Sequence, residues 1–111
     1  MDKNVLGEKI EELQMLERSI RDYSVERQNI QIEFNGVNNA LEELKISGDE
    51  VYKIVGGIMV RSDKTSLINE LEEKKKILDI KIKSIEKQES IIEEKIEKLR
   101  KEVNLSLSNK E

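Results

Sequence analysis

The sequence predicts a mainly α-helical chain: a long antiparallel two-helix coiled coil joined by one β-hairpin, whose strands are built to join others in a shared sheet or barrel. Three observations carry this. The 111 residues contain no proline, 40% of them are charged and only three are aromatic. Two stretches of nearly equal length keep an apolar repeat of 3.5 residues. Between them the repeat changes to two, around a Gly-Gly pair. Without proline nothing forces a break in a long helix. A composition led by Glu, Lys, Leu, Ile and Arg is typical of such helices.

The first helix is expected over about 4–46. Steps of three and four pick out Leu6, Lys9, Leu13, Leu16, Ile20, Tyr23, Arg27, Ile30, Phe34, Val37, Leu41 and Leu44, ten of the twelve apolar or aromatic. That is an unbroken a/d register over almost six heptads. Gly36 interrupts its composition at about 1 kcal/mol relative to alanine. It is tolerable at a surface position and would also permit close approach of another chain. Gly48 is read as the helix stop.

The hairpin is expected over about 50–62. Val51, Tyr52, Lys53, Ile54 and Val55 precede Gly56 and Gly57, and Ile58, Met59, Val60 and Arg61 follow. A two-residue Gly-Gly loop accepts the positive φ of a I′ or II′ turn. This predicts Val55 opposite Ile58, Lys53 opposite Val60 and Val51 opposite Ser62 on one face, with Ile54 opposite Met59 and Tyr52 opposite Arg61 on the other. Both faces are apolar, and a lone hairpin is marginal in water with two unpaired edges. Either several hairpins join in a shared sheet or barrel, or this one packs on the end of its own coiled coil.

The second helix is expected over about 63–106, capped by Ser62 or Asp63, with a frayed tail over 107–111. Its register is Ile68, Leu71, Lys75, Leu78, Ile82, Ile85, Glu89, Ile92, Ile96, Leu99, Val103 and Ser106, nine of the twelve apolar. Acid-to-base pairs four residues apart, from Glu70–Lys74 to Glu97–Lys101, add about 0.2–0.5 kcal/mol each. The whole of 1–111 reads as one domain. Antiparallel packing places Phe34 near Leu78 and Leu16 near Ile96. Arg27 and Glu89 then fall within about one layer. They either form an inter-helix contact that fixes register or both reach outward. Near the chain ends Val5, Leu6 and Ile10 meet the level of Val103, Leu105 and Leu107, where the seam loosens.

The absences restrict the chemistry. There is no Cys and no His, hence no zinc site of the usual type, no thiol nucleophile and no imidazole acid or base. Scattered carboxylates such as Glu72-Glu73 read as a wet helix face, so no enzyme activity, cofactor or metal is expected. Net charge is −4. Residues 1–45 carry ten acids and six bases, and 70–102 carry ten of each, interleaved. That gives no basic stripe for nucleic acid. There is no apolar run for a membrane span and no signal-peptide core at the start. The chain reads as soluble and intracellular, with no membrane partner.

The order of these elements, with Ala40-Leu41-Glu42-Glu43-Leu44 closing the first helix, Asp49-Glu50-Val51-Tyr52-Lys53 entering the hairpin, Val55-Gly56 at the turn, and Leu71-Glu72-Glu73-Lys74 and Ile85-Glu86-Lys87-Gln88-Glu89 in the second helix, resembles the β class of archaeal-type prefoldin subunits. The single hairpin matches the β class, since the α class carries two. The resemblance implies an ATP-independent holdase chaperone, a hexamer of two α-class and four β-class subunits. Its hairpins form a β-barrel platform, and its coiled coils hold unfolded polypeptides at their tips and deliver them to a group II chaperonin. Carried over, Val51 to Val60 become oligomerisation residues. Val5, Leu6, Ile10, Val103, Leu105 and Leu107 become client-binding tip residues, assigned by position. The first helix departs from the family by its Tyr23 and Gly36. The alternative reading is a structural or tethering coiled-coil oligomer without chaperone activity.

Overall fold

A computed structural model of the chain describes residues 2–108. Helix α1 runs over Lys3–Ile46, strand β1 over Val51–Val55, strand β2 over Ile58–Ser62 and helix α2 over Lys64–Ser108. Each helix is one residue longer than expected: α1 starts one residue earlier, and α2 starts one residue later but takes in Leu107 and Ser108 of the expected tail. Residues 109–111 of that tail lie outside the described residues.

Each helix begins on a carboxylate. The backbone N–H of Ser66 donates to Asp63 Oδ2 at 2.9 Å, and that of Asn4 to Asp2 Oδ1 at 3.4 Å. Asp63, then, caps α2, while Ser62 belongs to β2. The bond from Ser66 holds the Asp63 carboxyl below its usual pKa. The end of α1 departs from expectation. Positive φ occurs only at Gly56 and Gly57 among the described residues, so Gly48 is not a left-handed stop. Instead the Ser47 hydroxyl donates to the Leu44 carbonyl at 3.1 Å, and Lys64 Nζ donates to the Ser47 carbonyl at 2.7 Å. Two side chains satisfy carbonyls that the helix leaves open.

The chain divides into two compact units. One holds the residues up to 28 with those from 83 onward. Three ion pairs fix its antiparallel sense. Lys9 Nζ lies 2.7 Å from Glu102 Oε2, Glu17 Oε2 lies 3.5 Å from Arg100 Nη2, and Arg27 Nε lies 2.6 Å from Glu89 Oε1. As α1 advances, its partner on α2 recedes. The buried residues of this unit are Leu6, Ile85, Ile92, Ile96, Leu99 and Val103.

The other unit spans Asn29–Ile82 and contains the hairpin. Val37, Leu41 and Leu78 form one buried cluster, with Ile30, Phe34, Ile68 and Leu71 packed against it. Leu44, Leu67 and Val51 form a second, which joins the base of β1 to the two helices. Exposed pairs expected within α2 are partly redirected across the unit. Lys74 Nζ lies 3.0 Å from Glu33, and Glu70 lies 3.6 Å from Lys53 of β1.

All twenty-four heptad positions read from the sequence are buried or half-buried. Among the described residues no large side chain is fully enclosed. A two-stranded seam explains this, because each knob enters a hole whose outer wall is missing. Leu67 is the buried residue that the heptad reading missed. It stands one position before the seam residue Ile68, and Val51 covers it.

Candidate functional site

Two surfaces carry apolar side chains that their own unit leaves uncovered. The first is the hairpin. Its antiparallel register pairs Val51 with Ser62, Tyr52 with Arg61, Lys53 with Val60, Ile54 with Met59 and Val55 with Ile58. Gly56 and Gly57 have φ of 57° and 79°, the two positive values that a type I′ turn demands. A side chain at either position would be strained.

Only Val51 of the hairpin is buried, and Lys53 and Ser62 are half-buried. Ile54, Val55, Ile58, Met59 and Val60 are exposed, Ile54 by 74%. The helix ends hold the base of β1 and leave both faces open further out. Tyr52 is also exposed, and its hydroxyl donates to Glu50 Oε1 at 2.7 Å. That bond holds the phenol pKa above its usual value. Tyr52 and Met59, with Val51 and Lys53 of the opposite face, line one side of an open groove of about 520 Å³. Ala40, Glu43, Leu44, Leu67 and Leu71 of the helices line the rest, with Glu50. Several adjacent apolar residues uncovered on a sheet with two free edges make an association surface.

The second surface lies near the chain termini. Val5, Ile10, Leu105 and Leu107 are exposed by 40%, 36%, 63% and 51%. Leu6 and Val103 behave differently: each is only 7% exposed, in the seam. Both occupy a heptad position, so the opposite helix covers them. They could meet another molecule only if the helices parted, and the open set is the other four. Lys9, at a core position beside them, turns its ammonium to Glu102. That hydrogen bond, with the charge of Lys9, holds the Glu102 carboxyl below its usual pKa.

Between this surface and residue 28, Arg27 and Glu89 meet from the two helices. Arg27 Nε donates to Glu89 Oε1 at 2.6 Å and Nη2 donates to Oε2 at 3.4 Å. The side chains are 25% and 17% exposed, half-covered by the seam. The hydrogen bond to Glu89 holds the guanidinium above its ordinary pKa against the opposing effect of burial. No described helix is long and apolar enough to cross a membrane.

The fold is that of two long helices with a two-stranded antiparallel hairpin between them, the hairpin's outer apolar residues left uncovered. Comparison with known proteins gives the family. A model of the prefoldin subunit family matches residues 7–109, so the chain belongs to that family. It is 34% identical over 97 residues to the prefoldin subunit beta of Saccharolobus islandicus, covering 86% of this chain and 77% of the relative. It is 36% identical over 94 residues to the prefoldin subunit beta of Sulfurisphaera tokodaii, covering 83% and 75%. The crystal structure of the prefoldin beta subunit from Thermococcus strain KS-1 superposes with a TM-score of 0.83 at 26% identity, covering 92% of this chain and 91% of that one.

Proposed function

We propose that this chain is the β-class subunit of an ATP-independent holdase in the cytoplasm. Four copies join two α-class prefoldin subunits, and their hairpins close into a β-barrel platform. The exposed Ile54, Val55, Ile58, Met59 and Val60 support this part, because barrel closure covers both the apolar faces and the strand edges. Unfolded polypeptides bind at the termini end of each helix pair and pass to a group II chaperonin.

The observation that carries the holdase reading is the exposure of Val5, Ile10, Leu105 and Leu107 on elements otherwise rich in charge. A few aliphatic side chains bind any one segment weakly. Several subunits holding one chain raise the effective concentration of each contact. Arg27 and Glu89 serve as a register contact that keeps these residues level, since a polar pair inside an apolar seam disfavours sliding.

The test replaces Val5, Ile10, Leu105 and Leu107 by serine in the assembled complex. Aggregation of several unrelated unfolded clients should no longer be suppressed, while the mass of the complex stays the same. Undiminished suppression would remove the termini end as the client site. Suppression confined to a single client would favour a tether with one defined partner.

A further inference from the structure

Asn35 alone among the chain's asparagines is followed by glycine. Asparagine is among the thermally labile side chains, and the residue after it governs how fast it reacts. The main-chain nitrogen of that residue attacks the side-chain carbonyl carbon, and a Cβ beside the nitrogen hinders the approach. Gly36 has none. Asn35 and Gly36 are both exposed, and no hydrogen bond among the described residues holds the Asn35 amide. What restrains the pair is the backbone of α1. Within the helix the Gly36 N–H is bonded to the carbonyl four residues back, that of Ile32. The attack requires this nitrogen to give up its proton. Ring closure also requires ψ at Asn35 to leave its helical value of about −42°. The neighbours on the inner side hold the segment in place: Val37 is buried with Leu41 and Leu78, and Phe34 packs against that cluster.

We propose that Asn35 is a deamidation site which α1 keeps latent and which reacts when the unit Asn29–Ile82 opens locally. The Gly36 nitrogen bonds to Cγ of Asn35, the bond from Cγ to its amide nitrogen breaks, and the displaced amide leaves as ammonia with the Gly36 proton. Water then adds to either carbonyl of the cyclic imide and opens it. The product is an aspartyl or an isoaspartyl residue at position 35, with no oxidant, reductant or cofactor consumed. Either product places a new negative charge within 29–41, where Glu33 is the one charge of the sequence. The isoaspartyl product also routes the main chain through Cβ and so lengthens it by a methylene. The regular rise and hydrogen bonding of the helix cannot run unbroken through that position. A chain that has opened is therefore marked irreversibly, on the turn that carries Phe34 and Val37 into the cluster.

The test incubates the full chain at mildly alkaline pH, folded and in urea, and locates each amide-to-acid conversion by peptide mass spectrometry. In urea Asn35 should convert severalfold faster than Asn39, which Ala40 follows, and Gly36→Ala should remove that difference. In the folded chain conversion at Asn35 should be slower than in urea by about tenfold or more, because it waits on local opening. Leu78→Ala thins the cluster without altering the reacting pair. It should speed folded-state conversion by about tenfold, as expected where a buried leucine is lost. Leu78→Val should do the same to a smaller degree if the alanine chain fails to fold. The converted chain, returned from urea, should show less helix by circular dichroism than an unconverted control. Conversion as fast in the folded chain as in urea would overturn the proposal, as would a folded rate indifferent to both Leu78 variants. So would equal rates at Asn35 and Asn39 in urea, or full helix after conversion.

Discussion

The helix pair is built alike near the hairpin and near the chain termini, yet apolar side chains just off its seam meet different fates. Near the hairpin, Leu67 stands one position before the seam residue Ile68 and is 8% exposed, packed with Leu44 and Val51. Near the termini, Leu107 stands one position after the seam residue Ser106 and is half-exposed. The helical geometry of the two is similar. Strand β1 brings Val51 over the first, while no described residue covers the second to that degree. A third element thus turns one flank leucine into core and leaves the other as surface. The first supports the hairpin's position; the second is available to another molecule.

The comparison is broken most strongly at the hairpin itself. Replacing Ile54 and Ile58 together by lysine puts a charge on each apolar face. Light scattering should then show loss of the assembled state, while circular dichroism keeps the helical signal of the subunit. Next in size, Leu67→Ala should cost about 2–3 kcal/mol in urea unfolding, by the usual loss for a buried leucine. Leu107→Ala should stay within about 0.5 kcal/mol, as exposed substitutions do. Equal losses at the two positions would mean that the termini end is as well covered as the hairpin end.

Acid sharpens the comparison, because each region carries one carboxylate with a lowered pKa. Asp63 is held down by the Ser66 hydrogen bonds near the hairpin. Glu102 is held down by Lys9 near the termini. A carboxyl whose folded pKa lies below its unfolded value stabilises fully above the unfolded value, about 4. That contribution is lost as pH falls through the lowered folded value. Melting midpoints should therefore drop below about pH 4. Asp63→Asn should flatten part of the drop while keeping the helix cap, since asparagine caps equally well. Glu102→Gln should flatten the other part. The smallest change in stability is expected at Arg27 and Glu89. Replacing both by leucine should leave the midpoint nearly unchanged or raised, because a half-buried pair contributes little net stability against an apolar substitute. The helix alignment should nonetheless loosen, seen as spin-label distances across the seam spreading over more than one register. An alignment as sharp as the original would remove the register role.

Much of this architecture was legible in the amino-acid order. The steps of three and four name seam positions that are all covered. Gly56-Gly57 sets the two-residue turn, and the five strand pairs follow from it by counting. These are local properties: a period, a turn with positive φ, a capping carboxylate. Where the reading failed, the deciding partner lay far along the chain. Leu67 looked off register because Val51 is sixteen residues earlier. Gly48 looked like a helix stop, although Ser47 and Lys64 supply the closing hydrogen bonds. Leu6 and Val103 were read both as seam positions and as tip residues, and the structure buries both in the seam.

By itself, then, the sequence determined two long helices, their seam, the hairpin and its register, because each rests on spacing within a few turns or a few residues. Tertiary structure alone decided which apolar residues beside the seam became core, which stayed uncovered, and which acid Lys9 took. Burial and ion pairing depend on what arrives from elsewhere in the chain, and no local period encodes that arrival.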